Sequence, residues 1–102
     1  MLDKKATVPG ARIIVDRPRD GVSIPFSKGE PKPDNDCVRI MTGMLGFFGP
    51  AIGAVPGTRL TIVKKPRKIG GINVARVATE DGTEGEVYWC ELRVSCKHLP
   101  SQ

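Results

Sequence analysis

Three cysteines and one histidine are the side chains best suited to metal binding or nucleophilic chemistry. Cys90, Cys96 and His98 follow one another in the spacing C-x5-C-x-H, and Cys37 stands far upstream. Zinc sites usually contain a close pair such as C-x2-C, which this sequence lacks. An odd number of cysteines also differs from the even sets that form disulfide frameworks in small secreted domains. We therefore expect reduced, structural thiols and no metal.

The sequence offers little that would support catalysis. His98 lies four residues from the C-terminus, where chain ends commonly fray, so it is poorly placed to act as a general base. No recognised nucleophile motif is present, and no glycine-rich phosphate loop precedes a helix. Asp81, Glu84 and Glu86 are close in sequence, but carboxylates that flank a hairpin usually belong to a solvated turn. We expect a non-catalytic protein without a cofactor.

Positive charge is the second feature with chemical meaning. The 102 residues include 16 Lys and Arg against 11 Asp and Glu, which gives a net charge of +5. The segment KKPRK and two earlier arginines would neutralise phosphates and release counterions. The alternative is a solvated charged loop, and aromatic residues, at 5%, are few for base stacking. The candidate nucleic-acid-binding residues are Arg17, Arg19, Lys64, Lys65, Arg67 and Lys68.

One long segment, from Ile40 to Thr58, contains no charged residue. Its nineteen residues approach the length of a membrane-spanning helix, but five glycines and two prolines weaken a helix, and Pro50 lies in the middle. A G-x3-G spacing keeps the membrane alternative open. We favour a long glycine-rich loop whose apolar side chains pack onto the core. If some are exposed instead, Phe47 and Phe48 form a patch of the kind that marks interaction sites.

Short strands are the predicted elements, because 12 Gly and 9 Pro make the chain rich in turns. From Gly57, the segment GTRLTIVKK alternates with the period of a half-buried strand, which we expect to end at Pro66. KKPRKIGG is then a loop. Asp81-Gly82 predicts a hairpin, because the tight turns that match strand twist need positive φ. The side chains expected on the inner face of this hairpin are Ala75, Val77, Thr79 and Val87.

The N-terminal half carries weaker strand signals. PGARIIVDRPR is similar to PGTRLTIVKKPR with one residue inserted, and each reads as a turn that leads into a strand. Ala11 to Asp16 is thus an extra strand, and either it or Cys37 to Met41 supplies the first strand of the domain. Ser27 to Asp36 is a polar, proline-rich connector. We expect a flexible N-terminus at residues 1–9, a single domain at residues 10–98 and a flexible tail at residues 99–102.

The elements predicted between Gly57 and Val94 follow a recognisable order. GTRLTIV is a strand after a Gly-Thr turn, a basic loop follows, VARVATEDGTEGEV is a hairpin, and YWCEL is a single helical turn ahead of a last strand, LRVSC. This order resembles the second half of a Src-homology-3-like small barrel, particularly the bacterial kind. The resemblance implies an all-β fold: a small SH3-like barrel with an additional N-terminal strand and a long Gly-rich binding loop.

The sequence departs from that family in two places. Gly85-Glu86-Val87 stands where bacterial members commonly have Gly-Trp-Val, and only Tyr88 and Trp89 lie near the position of an aromatic groove. Recognition of PxxP ligands is therefore not predicted. The N-terminus contains Asp3, and no apolar stretch of seven or more residues follows Lys4 and Lys5, so a secretory signal is not visible. Peptidoglycan binding, common in bacterial relatives, conflicts with this, and we expect a cytoplasmic protein.

Two kinds of binding function remain as hypotheses. We favour a non-catalytic protein-interaction module, an adaptor or subunit whose partner is another protein or a second copy of the chain. Aromatic residues are enriched at binding hot spots, so the candidate protein-binding residues are Phe47, Phe48, Tyr88 and Trp89. The alternative is a nucleic-acid-binding small barrel, KOW- or Tudor-like, that uses the basic KKPRK segment. Neither function involves a membrane.

Overall fold

The structure, a computed structural model, describes residues 2–16, 38–42 and 51–100. Among the sequence predictions, Arg17, Arg19, Cys37, Phe47, Phe48 and the connector at residues 27–36 lie outside the described residues. The elements are a 3₁₀ helix Lys4–Ala6, strands β1 Arg12–Val15, β2 Val38–Met41, β3 Ala51–Ala54, β4 Arg59–Ile69, β5 Ile72–Thr79 and β6 Glu84–Tyr88, helix α1 Trp89–Ser95, and strand β7 Cys96–His98.

All seven strands belong to one antiparallel sheet, in the order β3-β2-β6-β5-β4-β1-β7. The all-β prediction is confirmed, and the chain forms a small domain rich in antiparallel sheet. Strands β3 and β7 occupy the two ends of the order and are only four and three residues long. The sheet is not closed into a ring, unlike the closed sheet that a barrel implies.

The hairpin between β5 and β6 forms where Asp81-Gly82 predicts it. Gly82 has φ of 91°, and its amide donates to the Thr79 carbonyl at 3.1 Å. The Thr79 hydroxyl and the Thr83 amide both donate to the Asp81 carboxylate, which holds the pKa of that carboxyl below its ordinary value. Three of the residues predicted on the inner face, Ala75, Val77 and Val87, are fully buried, and Thr79 is half-buried.

Strand β4 does not end at Pro66, and the predicted KKPRKIGG loop is wrong. The strand continues through Pro66 to Ile69, and a turn at Gly70-Gly71 leads into β5. The register of β4 with β5 shifts twice, once between Ile62 and Lys64 and once between Lys64 and Arg67. Each shift places one extra residue on β4. A bulge leaves a residue outside the ladder, so a proline without an N–H is tolerated there. Both turn glycines have positive φ, 57° and 85°, as a two-residue hairpin turn requires.

The uncharged segment at residues 40–58 is not one long loop. Its two ends are strands that pair with each other, Ile40 with Ile52 and Met41 with Ala51. Ile40 and Met41 are buried, as the core interpretation predicts, whereas Ile52 is 38% exposed. In the part of the chain that the structure describes, no helix is long and apolar enough to cross a membrane.

The two similar proline-glycine segments pair with each other as β1 and β4. Ile13 pairs with Leu60 at the centre of this contact. The Gly10 amide donates to the Ile62 carbonyl at 2.8 Å, and the Gly57 amide donates to the Val15 carbonyl at 2.7 Å. Ala11 to Asp16 is thus confirmed as a strand, and 38–41 is a strand as well. The two similar segments therefore form a local two-fold arrangement, in which each strand pairs with the other strand and each turn glycine donates to the opposite segment.

The helical turn predicted in YWCEL is longer in the structure. Helix α1 continues to Ser95 and takes in LRVS of the predicted last strand LRVSC, so the last strand contains only Cys96–His98. Its Trp89 and Leu92 pack into the main core. The members of that core are Leu2, Ile13, Val15, Val38, Ile40, Ala54, Leu60, Ile62, Ala75, Val77, Val87, Trp89, Leu92 and Cys96.

Candidate nucleic-acid interface

The end of the β4–β5 hairpin projects from the sheet as a two-stranded ribbon. Within the described strands, the pairing of β1 with β4 reaches Thr61, and the pairing of β6 with β5 reaches Val74. Beyond these positions β4 and β5 pair with each other, through Lys68 with Asn73 and Ile69 with Ile72. All residues from 68 to 73 are exposed, and we call this segment the ribbon tip.

Three lysines of KKPRK face solvent on this hairpin. Lys64 and Lys65 are exposed near the base of the ribbon, and Lys68 is exposed on the ribbon tip. Because the bulges interrupt the strict alternation of side chains along β4, Lys64 and Lys65 are both exposed although they are consecutive. Three cationic groups on one rigid element form a surface suited to a polyanion.

Arg67, the fourth cation of KKPRK, is engaged within the sheet. Its guanidinium donates to Glu86 Oε1 at 2.7 Å, and the same oxygen accepts from Arg76 at 3.3 Å. Arg76 also donates to Glu84 at 2.9 Å, a hydrogen bond that raises the Arg76 pKa. The Glu84 and Glu86 carboxylates therefore balance the charge of the two arginines, and the lysines carry the net positive charge of this hairpin.

The N-terminal segment adds two lysines that sequence reasoning missed. Lys4, Lys5 and Lys65 line one shallow cavity, together with Asp3, Thr7, Val8 and Pro66. The only sequence signal was the adjacent pair Lys4-Lys5, and nothing local links that pair to a strand sixty residues away. The lysine surface is defined here as Lys4, Lys5, Lys64, Lys65 and Lys68.

Hydrogen bonds to α1 and β7 anchor the segment that carries Lys4 and Lys5. Leu2 is buried, and its amide donates to the Arg93 carbonyl at 2.9 Å. The Asp3 amide donates to His98 Nε2 at 3.1 Å, and the Asp3 carboxylate caps the short helix by accepting from the Lys5 amide at 3.0 Å. The flexibility predicted for residues 1–9 stays a prediction.

Of the predicted aromatic patch, Phe47 and Phe48 lie outside the described residues, so the patch stays a prediction, and the structure describes only Tyr88 and Trp89. Trp89 is 8% exposed and belongs to the main core, whereas Tyr88 is half-buried at the end of β6. Two aliphatic side chains of the uncharged segment are exposed instead, Ile52 at 38% and Val55 at 41%. The apolar surface available to a partner is therefore aliphatic in this part of the described chain.

The two described cysteines and the histidine occupy separate environments. Cys96 is buried and Cys90 is exposed, while His98 accepts the hydrogen bond from the Asp3 amide. Burial, reinforced by the negative charges of Glu91 and Asp16, raises the pKa of the Cys96 thiol to about 12. Within residues 2–16, 38–42 and 51–100, no group of three or more potential ligands could hold a metal ion.

A buried carboxylate links the helix to β2. Glu91 Oε1 accepts a hydrogen bond from the Arg39 amide at 2.9 Å, and Glu91 Oε2 is buried without a hydrogen-bond partner among the described residues. Burial raises the pKa of Glu91, and the hydrogen bond and charge of Arg39 oppose this effect. The contact fixes α1 against the sheet, so its role is structural.

Comparison with known proteins gives no assignment. No protein-family model matches the sequence, and the searches of curated proteins and of solved structures give no significant match.

Proposed function

We propose that this domain binds nucleic acid through the lysine surface. The observation that carries the proposal is the cavity where Lys65 of β4 meets Lys4 and Lys5 of the N-terminal segment. Lys64 and Lys68 extend the same positive charge along the hairpin. Exposed lysines that lie close together neutralise several phosphates at once, and the release of counterions then favours binding.

The ion pairs of the sheet support the assignment of phosphate contact to lysines and not to arginines. Arg67 and Arg76 are committed to Glu84 and Glu86, so they position β4, β5 and β6 and contribute little net charge. Exposed lysines carry their charge on a flexible four-carbon stem with three rotatable donors, so their ammonium groups can reach phosphates. The proposal therefore assigns phosphate contact to lysines and takes Arg67 out of the contact set that the sequence suggested.

Salt-dependent binding to an oligonucleotide tests the proposal. The probe is a fluorescent 20-base-pair duplex, and anisotropy is measured from about 50 to about 200 mM salt, over which five phosphate contacts predict a loss of affinity on the order of 10²–10³. The variant Lys64→Ala/Lys65→Ala/Lys68→Ala should lower the salt slope by about one unit per lysine. Binding that does not change with salt would contradict the proposal.

A matched control distinguishes binding through the lysine surface from an effect of the total charge of the protein. Arg59, Arg93 and Lys97 are also exposed, and replacing all three with alanine removes the same three charges. The control should keep most of the salt slope of the wild type. Equal losses in the two triple variants would mean that net charge alone holds the probe, without a defined surface.

A protein-interaction module is the second candidate function. The observation that favours it is the exposure of Ile52 and Val55 at β3, a strand at one end of the sheet order. An edge strand with exposed aliphatic side chains is suited to pairing with another chain. Light scattering tests self-association: an assembly that Ile52→Asp dissociates would support this candidate, and a concentration-independent monomer would count against self-association.

We also retain the SH3-like resemblance as a proposal. It is supported by the β4-β5-β6 meander, followed by a helix and a last strand that pairs with β1. The cytoplasmic location stays a prediction from the sequence. An experimental structure in which β3 meets the other end of the sheet would support the barrel, and a flat open sheet would contradict it.

A further inference from the structure

The ribbon tip combines features that the proposed function does not require. Ile69 and Ile72 form a cross-strand pair and are 40% and 39% exposed. The turn between them consists of two glycines, so no side chain widens the end of the hairpin. Lys68 and Asn73 form the next pair and are also exposed. Phosphate binding alone would be served by lysines and gains nothing from two exposed isoleucines.

We propose that the ribbon tip enters the major groove of duplex DNA and places Ile69 and Ile72 against thymine methyl groups. This inference rests on the proposed function and specifies its ligand. The major groove, about 12 Å wide, admits a two-stranded β-ribbon, and aliphatic side chains there contact the thymine methyl. The tip therefore reads A·T pairs, while the lysine surface holds the phosphates.

The dimensions of the hairpin suit this placement. Beyond Val74, β5 contributes two residues, Asn73 and Ile72, and the three steps from Val74 to Gly71 of the turn advance about 10 Å along the strand axis. The major groove is about 8.5 Å deep, so the tip reaches the base edges while Lys64 and Lys65 remain near the backbone. Duplex RNA does not fit, because its major groove is deep and too narrow for side chains to read.

An anionic membrane is the competing ligand for a basic element with an apolar end. A two-stranded ribbon carries unpaired N–H and C=O groups along both outer edges, and these groups are costly to place in hydrocarbon. DNA bases and phosphates offer hydrogen-bonding partners at the same depth. Asn73, which is exposed on the opposite face of the ribbon from Ile72, likewise carries an amide that is costly to place among lipid chains.

The test removes the thymine methyl groups without changing the charge of the DNA. Two fluorescent 20-base-pair duplexes of one A·T-rich sequence are compared, one with thymine and one with uracil at every position. The wild-type protein should bind the thymine duplex more tightly, by about fourfold for each methyl group that is buried. The variant Ile69→Ser/Ile72→Ser should bind both duplexes equally, with a salt slope like that of the wild type.

A matched variant controls for the loss of exposed aliphatic surface. Ile52→Ser/Val55→Ser removes two side chains of similar exposure, one from β3 and one from the residue that follows it, and should keep the preference for thymine. Equal wild-type binding to the thymine and uracil duplexes would overturn the inference and leave the proposed function standing. Absence of duplex binding even at low salt would overturn both. Isoleucine-dependent binding to phosphatidylglycerol vesicles, with no thymine preference, would overturn the inference in favour of a membrane ligand.

Discussion

Ile13 and Leu60 pair across β1 and β4, and both side chains are buried, at 0% and 2% exposure. Around this pair the backbone repeats itself: each strand follows a proline-glycine turn whose glycine has positive φ, 90° at Gly10 and 95° at Gly57. Each glycine amide donates to the opposite strand. Two distant segments of similar sequence thus form one symmetric structural unit, which is the base from which the β4–β5 hairpin extends.

Truncation of this central pair should destabilise the domain strongly. Ile13→Ala and Leu60→Ala each delete methyl and methylene groups from a fully packed site, and each should cost about 2–5 kcal/mol of unfolding free energy. Ile14→Ala, at a half-buried position on the same strand, is the control and should cost less. Urea denaturation measures all three. Losses below about 1 kcal/mol at Ile13 and Leu60 would contradict the assignment of the core.

Neutralising Glu86 should strengthen nucleic-acid binding. Glu86 Oε1 accepts from both Arg67 and Arg76, so Glu86→Gln removes one negative charge beside two arginines. The affinity for a duplex should rise and the salt slope should steepen by up to about one unit. Glu80→Gln, an exposed carboxylate in the β5–β6 turn, changes the net charge equally and serves as the control. An identical response in both variants would show that the ion pairs do not restrain Arg67.

The two described cysteines should differ in thiol reactivity. Cys90 is exposed, whereas Cys96 is buried with its pKa raised to about 12, and the thiolate is the reactive form. Iodoacetamide at pH 8 should label Cys90 readily and label Cys96 only after unfolding. Mass spectrometry of the digested protein assigns each site. Rapid labelling of Cys96 in the native protein would contradict its placement in the core.

Glu91 should make the domain less stable as the pH rises. Its pKa in the folded state lies above the ordinary value of 4.5, so the native protein binds more protons than the unfolded chain above that pH. This contribution to stability is present below pH 4.5 and is lost as the pH rises through the raised pKa. Glu91→Gln keeps an acceptor for the Arg39 amide and should remove this part of the pH dependence. Unchanged pH dependence of the unfolding free energy in the variant would contradict the burial of this carboxylate.

Asp81 should make the domain less stable as the pH falls, the opposite of the effect of Glu91. Its pKa is lowered by the Thr79 hydroxyl and the Thr83 amide, so its contribution is present above the ordinary pKa and is lost as the pH falls through the lowered value. Asp81→Asn should therefore flatten the acid side of the stability profile and leave the effect of Glu91 in place. Unfolding curves measured at several pH values separate the contributions of Asp81 and Glu91 to the unfolding free energy.

The features that local sequence determines were predictable. Asp81-Gly82 specifies its turn because positive φ at Gly82 is a property of the residue itself, and β1 was visible through its similarity to β4. The continuation of β4 through Pro66 was not predictable, since the bulges that tolerate a proline depend on the register with β5. The environment of Trp89 was not predictable, because an aromatic residue that follows a strand is compatible with a surface position and with a core position. Helix α1 places this side chain in the core.

The lysine surface was predictable only in part. KKPRK identified three of its lysines, but the contribution of Arg67 depends on Glu86, nineteen residues away in sequence and adjacent in space. Lys4 and Lys5 reach the hairpin through contacts of Leu2 with Arg93 and of Asp3 with His98, which join the two ends of the chain. Such long-range contacts leave no local pattern in the sequence.

Amide chemical-shift mapping tests the central claim most directly. The ¹⁵N-labelled protein is titrated with an unlabelled 20-base-pair duplex, and the shifts of assigned amides are followed. The account predicts changes concentrated at Lys4, Lys5 and residues 64–73, which together contain the lysine surface and the ribbon tip. Changes confined to β3 and the adjacent Val55, with residues 64–73 unaffected at saturating DNA, would contradict it.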